Sequence, residues 1–196
     1  MKGLEALFKQ AARSDEELQR KILEKGDLQL LDLACGACHE ANTLARVFGS
    51  SEREAGDNRN MQFVGLDVRA REIAEAATRF TGDLHSDFSF INGDATKLDS
   101  YKQLPGVFDV IFMRHQNLGD GKRTWEEIYH KALEKLSPNG RLIITSYFDG
   151  EHEAALDVIG NQGGELLVTE ANEASRRLDI PGKSVDRHLA ILKRKG

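Results

Sequence analysis

A chain of 196 residues with 40% hydrophobic and 30% charged side chains has the size and composition of one globular domain with a core of its own. Its net charge of −5, from 27 basic against 32 acidic residues spread along the chain, leaves no basic stripe of the kind that tracks phosphates, which argues against nucleic acid as a partner. The longest apolar runs, VIFM and LAIL, fall far short of the ~20 residues that cross a bilayer, the charged N-terminus lacks a signal peptide's apolar centre, and the only two cysteines are too few for a secreted disulfide framework, so a cytoplasmic protein with no membrane contact is expected.

Helical spacing opens the chain at Leu4, Leu7 and Phe8, and a second helix follows SDEE, where Ser14 and Glu17 have capping-box spacing and Gly26 offers a stop. These helices read as a lead-in over residues 1–27, ahead of a core over 28–196. Apolar strands recur at LQLLDLA (28–34), QFVGLDV (62–68), DFSFING (87–93), VFDVIFMRH (107–115) and RLIITSY (141–147), and helical patterns such as AREIAEAATRF (70–80) and TWEEIYHKALEKL (124–136) separate most of them. That alternation predicts an α/β, doubly wound, mostly parallel sheet. The polar stretch from Gly49 to Asn60 reads as a surface excursion. Two final strand-like runs, GELLVTEAN (164–172) and DRHLAILKRK (186–195), joined by a short polar segment with Pro181 and Gly182, predict an antiparallel hairpin closing one sheet edge and a seventh strand. No repeat, linker or domain boundary is visible.

In open parallel sheets, ligands bind beyond the carboxyl ends of the strands, near the point where strand order reverses. Three carboxylates fall at such ends: Asp32 before the turn ACGAC, Asp67 in VGLDV and Asp94 in INGD. A buried unpaired carboxylate is costly, so a single one there is most simply a cap for the next turn. Three in consecutive units point instead to a ligand.

The turn itself, LLDLACGACHEA, admits several readings. Cys35 and Cys38 have half of a zinc-site spacing, but there is no second cysteine pair and only His39 lies near. A C-x-x-C at a strand-to-helix junction also suits a thiol–disulfide couple, which would leave the three carboxylates unexplained. A dinucleotide turn needs G-x-G-x-x-G, of which only Gly36 survives. A nucleotide cradle with two small, partly buried cysteines accounts for most of these features, and no metal is expected.

These segments resemble class I S-adenosylmethionine-dependent methyltransferases, whose first motif usually reads Asp-Leu-Gly-Cys-Gly-Thr-Gly. LDLACGAC is similar to that motif, with Ala34 and Cys38 in place of its first and last glycines. VGLDV is similar to the ribose motif, INGDA to the adenine motif, FDVIFMRHQN to the fourth strand, and LEKLSPNGRLIIT to the entry into the fifth, with Asn139 replacing a glycine. The resemblance implies a Rossmann-like seven-stranded sheet and S-adenosyl-L-methionine as cofactor. It places the cofactor on the turn Ala34, Cys35 and Gly36, its ribose on Asp67 with Val68 beside it, its adenine on Asp94 and the Ala95 backbone, and its methionine amino group facing Asp32, directly or through water. Arg114 would lie beside the cofactor, with a guanidinium able to grip a carboxylate or phosphate of the acceptor.

Methyl transfer asks for positioning and exclusion of water more than for covalent catalysis. His115, at the end of the fourth strand, is the candidate base for an acceptor that must lose a proton; the alternative is a packing residue whose backbone alone meets the cofactor. Gln116 and Asn117 add donors, and Trp125 and Tyr147 are candidate wall residues. His130, His152 and His188 read as surface or structural. A small-molecule acceptor is expected by elimination: there is no long recognition insertion, and the Asn/Asp-Pro-Pro-aromatic signature of amino-group methylation on nucleobases and protein glutamine is absent. A non-catalytic cofactor-binding module, and an enzyme on RNA or protein with a partner subunit, remain as alternatives.

Overall fold

The computed structural model describes residues 2–23, 27–49, 60–80 and 86–196. Helices α1 (Lys2–Ala12) and α2 (Glu16–Leu23) precede β1 (Leu28–Leu33), α3 (Ala41–Phe48), β2 (Met61–Asp67), α4 (Ala70–Arg79) and β3 (Ser86–Asn92). After a 3-10 turn over Ala95–Ser100 come β4 (Phe108–Arg114), α5 (Lys122–Glu134), β5 (Leu136–Ser146), α6 (Asp149–Asn161), β6 (Gly164–Ala171) and β7 (His188–Arg194). The expected stop at Gly26 and all but the ends of the polar stretch 49–60 lie outside the described residues.

The seven strands form one sheet in the order β3-β2-β1-β4-β5-β7-β6. The first five are parallel, and β7 inserts antiparallel between β5 and β6, the hairpin expected at that edge. Strand order reverses between β1 and β4, so the crevice above their carboxyl ends is the place for a ligand. Alternate residues of the central strands feed two cores. Leu28 and Leu30 of β1 join Phe8, Phe48, Phe63 and Phe112 on one face, whereas Leu31 and Leu33 join Val64, Ile111, Met113 and Tyr129 on the other. Burial on both faces is why these strands read as continuous apolar runs.

The start of α2 differs from expectation. Its cap is Asp15, whose Oδ1 accepts from the amides of Glu17 (3.1 Å) and Leu18 (3.2 Å), and no capping box with Ser14 forms. The reason is tertiary: the same carboxylate pairs bidentately with buried Arg141 of β5, at 2.5 and 3.0 Å, tying the lead-in to the sheet. Burial alone would raise the Asp15 carboxyl, but Arg141 and the capped amides outweigh it and hold it below its ordinary value.

Strand β5 also begins earlier than the sequence suggests, pairing Leu136 with Phe108 and, after a bulge, Arg141 with Val110. In the bulge Asn139 is exposed, so a side chain is tolerated there. A β-carbon on Gly140 would lie 2.9 Å from the Phe108 carbonyl oxygen and the Ser137 amide nitrogen, so the glycine that matters is the one retained.

Candidate cofactor and acceptor site

The turn between β1 and α3 alternates left-handed residues, Ala34 at φ 55°, Gly36 at φ 56° and Cys38 at φ 49°. A non-glycine residue costs on the order of 1 kcal/mol in that region, so two of them in one turn mark a geometry that the surroundings enforce. Asp67 supplies part of that enforcement: its Oδ2 accepts from the Gly36 amide at 2.7 Å, joining the end of β2 to the turn.

The Asp67 carboxylate also receives the Arg69 amide (2.8 Å) and the Arg69 guanidinium (3.0 and 3.3 Å). Burial would raise this carboxyl, yet the Arg69 and Gly36 hydrogen bonds prevail and keep it below the usual carboxylate range. The guanidinium lies over the turn, for a β-carbon on Gly36 would come within 2.6 Å of Arg69 Nη2. With its side chain 59% exposed, Arg69 is free to swing away.

Cys38 stands where the family's last glycine would be, and its side chain turns away from the crevice. It is wholly buried in the β1–β2 core, with its sulfur against Gly65. The crevice over the turn therefore keeps its space. The sulfurs of Cys35 and Cys38 and a carboxylate oxygen of Asp32 lie within 4.8 Å of one another beneath the turn. His39 takes no part, being exposed with Nδ1 2.9 Å from Arg79. Burial pushes the Cys38 thiol far up, so it is a protonated packing group.

Asp32 is fully buried and is not on the crevice wall, so it offers a methionine amino group no direct contact; its Oδ2 accepts the weak Cys38 thiol contact at 3.7 Å, and its Oδ1 has no protein partner. Burial first, and then the neighbouring Glu40, push its carboxyl well up. Glu40 does stand on the crevice wall; it precedes α3 without capping it and instead accepts from Arg114 Nη1 at 3.1 Å.

Arg114 is likewise fully engaged. Its Nε and Nη2 bind Asp186 bidentately at 2.8 and 2.7 Å, and its remaining arm binds Glu40. Two buried carboxylates, Asp186 and Glu40, share this one cation, so an acceptor anion would have to compete with them for it. Asp186 comes from the residues just before β7, at φ 50°, and also accepts from Thr145 Oγ1 at 3.0 Å. Since β7 runs antiparallel, its start lies at the carboxyl ends of the parallel strands. That rule could have found Asp186 in the sequence, but an acid opening an edge hairpin looks like a solvated residue.

His115 ends β4 at φ 58°, donating its amide to the Thr145 carbonyl at 2.9 Å. Its ring stacks on Tyr147, with centroids 3.6 Å apart, and its Nε2 is 2.9 Å from Asp186 Oδ1 and 3.1 Å from the Asp186 amide nitrogen.

A crevice of about 510 Å³ collects Ala34, Cys35, Gly36, Glu40, Asp67 and Val68 with Arg69, Arg114, His115, Trp125 and Tyr147. Asp94 and Ala95 are not on its wall. Asp94 caps the 3-10 turn through the Thr96 amide (3.0 Å) and hydroxyl (2.8 Å), and Ala95 is buried in the second core. A second cleft of about 690 Å³ adjoins the first at Asn117 and runs between α5 and α6, lined by Glu126, Phe148, Glu151 and Asp157 among others. Three further histidines among the described residues are structural or superficial: His152 is buried between Ser146 and Thr169, His188 meets Asp149, and His130 is exposed beside Glu134.

A reversal of strand order crowned by a strained turn and a carboxylate is where a doubly wound sheet takes its ligands. The family model described as a methyltransferase domain matches residues 24–181, and the chain belongs to that family. Its fold is shared with N-methyltransferase NodS from Bradyrhizobium japonicum WM9 (TM-score 0.63, 14% identity, 96% of this chain and 97% of that one). It is also shared with an S-adenosylmethionine-dependent methyltransferase from Clostridium acetobutylicum ATCC 824 (0.63, 13%, 96% and 92%) and an rRNA methylase from Streptococcus thermophilus (0.61, 18%, 94% and 95%). No curated protein matches the sequence. Methyl transfer is the activity that this membership assigns. Among the described residues no helix is long and apolar enough to cross a membrane.

Proposed function

We propose that this domain transfers a methyl group from S-adenosylmethionine to a small acceptor held between the crevice and the adjoining cleft. The observation that carries the proposal is the Gly36 amide bound to the ionised Asp67 carboxylate, beneath a crevice that a β-carbon would invade. The residues fit the cofactor. Asp67 offers an acceptor-only carboxylate for two ribose hydroxyls once Arg69 withdraws, and Glu40 is the wall acid suited to an ammonium group. When bound, S-adenosylmethionine supplies an electrophilic methyl on a sulfonium sulfur.

The chain's own residues do the rest. Arg114 keeps Glu40 and Asp186 fixed, His115 is the group at the end of β4 that can take a proton from the acceptor, and Trp125 and Tyr147 exclude water. The adjoining cleft has the volume of a small-molecule site, and its lining carries Glu126, Glu151 and Asp157 against Lys122 alone, a balance that disfavours a phosphodiester. Calorimetry with S-adenosylmethionine and S-adenosylhomocysteine tests the first half of this reading, and absence of binding to both sinks it. A panel of small hydroxy, amino and carboxylic compounds, screened for release of S-adenosylhomocysteine, tests the second.

A further inference from the structure

The cleft between α5 and α6 carries an inference about the chemistry of the acceptor. It adjoins the crevice at Asn117, so a molecule seated in its volume of about 690 Å³ can extend into the crevice. Of its charged lining, Lys122 stands 4.0 Å from Glu126, and among the described residues no ion pair reaches Glu151 or Asp157. Half-buried Glu151 is fixed at the start of α6, its Oε2 accepting from the Tyr147 amide at 2.8 Å. Burial raises its carboxyl, and the Tyr147 and Phe148 amides, with His115 and Lys183, offset only part of that. A cation brought by a ligand would favour the charged form further.

Two further observations are independent of the acids. Lys183, from the segment between β6 and β7, lays its ammonium over the rings of Tyr147 and Phe148, 4.4 and 5.8 Å from their centroids. Tyr147 lines the crevice and Phe148 the cleft, so the aromatic corner shared by the two cavities already holds an ammonium of this chain. Lys183 itself lines neither cavity and leaves their space open. Gln116, between His115 of the crevice wall and Asn117 of both walls, is 1% exposed, and its Nε2 has no protein partner. A buried donor left unpaired beside the junction marks a place where a ligand completes the hydrogen bonding.

We propose that the cleft is a subsite for a protonated amine, and that the acceptor is a small amine-bearing molecule whose ammonium lies along the Glu151 and Asp157 face of α6. Glu126, Glu151 and Asp157 stand on the wall of the cleft and not on that of the crevice, so the ammonium is the handle, and a different atom of the same molecule faces the crevice. The assignment of that molecule as acceptor rests on the methyltransferase reading above. Glu151 is the stronger contact, because it is half-buried and its carboxylate is already oriented by the Tyr147 amide, whereas Asp157 is exposed and contributes as a screened surface charge does. Lys122 works against the subsite, by its own charge and by its hold on Glu126. Carboxylates and phosphates are thereby excluded as handles.

The test is a titration of the full chain, at low salt and without cofactor, with putrescine, butanediol and succinate, which share a four-carbon chain and differ in charge. Putrescine should bind about tenfold more tightly than butanediol, and succinate more weakly than either. Glu151→Gln, which keeps an oxygen for the Tyr147 amide and should fold as the parent does, should weaken putrescine about tenfold, and Asp157→Asn about threefold. Lys122→Gln should tighten it about threefold, a gain that a merely structural role for these residues would not produce. Absence of putrescine binding, succinate binding as tightly as putrescine, or a putrescine affinity unmoved by Glu151→Gln and Asp157→Asn together overturns the proposal. S-adenosylhomocysteine affinity is measured separately and should stay within about threefold of the parent in all three variants. Because the titrations need no cofactor, failure to bind S-adenosylmethionine would strike the methyltransferase reading and leave the preference of the cleft for cations standing.

Discussion

The sulfur of Cys38 occupies the space that a side chain on Gly65 would need: a β-carbon built there lies 2.6 Å from Cys38 Sγ, 2.9 Å from Phe90 Cδ1 and 3.2 Å from Cys35 Sγ. The missing glycine of the turn is thus matched by a glycine in the neighbouring strand. Gly65→Ala should destabilise the fold by about 1–3 kcal/mol through overpacking. Adding Cys38→Gly should recover much of that loss, since the new methyl then takes the sulfur's place. A double-mutant cycle from denaturant melts checks this, and purely additive effects would show that the two residues do not share one space.

Asp67 and Arg69 should shift cofactor affinity in opposite directions. Asp67→Ala removes charge-assisted hydrogen bonds worth on the order of 1.5–3 kcal/mol each, so affinity should drop at least tenfold. Arg69→Ala removes the group that covers Gly36 and occupies the carboxylate, and affinity should rise severalfold. Titration calorimetry reads both; weaker binding by Arg69→Ala would mean that the guanidinium serves the ligand rather than competing with it.

No stoichiometric zinc should accompany the purified protein. The three buried donors beneath the turn include a carboxyl and a thiol that burial pushes up, which opposes the charged forms a metal binds, and His39 stands apart with Arg79. Elemental analysis giving about one zinc per chain would refute this.

His152 should make the fold sensitive to mild acid. Burial, with the His188 charge adding to it, lowers this imidazole from 6.5 to about 4. As pH falls below 6.5 the unfolded chain takes up a proton that the folded chain refuses until about 4, so stability is complete above 6.5 and declines across that window. The full difference is about 3 kcal/mol. His152→Gln should flatten the change in unfolding free energy between pH 7 and pH 4.5. An equal slope in the variant would place the acid sensitivity elsewhere.

Asp15→Ala should be among the most damaging single changes far from the crevice. It uncaps α2 and leaves buried Arg141 without its anion, a loss of about 3–5 kcal/mol. Thermal melts of Asp15→Ala and of Asp15→Ala with Arg141→Met measure the share due to the orphaned charge, which the double variant should relieve.

What could be read in advance divides along physical lines. The strands, the turn at Gly36 and the anion at Asp67 were legible because each depends on residues close in sequence: apolar runs, a small residue, an acid at a strand end. Asp15 rather than Ser14 caps α2 because of Arg141, 126 residues away, and no local pattern carries that choice. Glu40 and Asp186 escaped for the same reason, since their roles depend on which strand is laid beside which. Asp32 and Asp94 were read alike as strand-end acids, yet one is sealed under the turn with a raised carboxyl and the other is a half-buried cap. Their difference lies in how deep the chain is at each point, which spacing does not encode.

The antiparallel entry of β7 has a consequence for the order in which the molecule gains its abilities. A chain that has paired β1 through β5 already owns the turn and the Asp67 carboxylate, while Arg114 and His115 still lack Asp186. Local opening of the edge hairpin would return a folded molecule to that condition. The turn with its Asp67 carboxylate and the Arg114–Asp186 pair are then separable in time, and a transiently opened molecule would keep the first while losing the second.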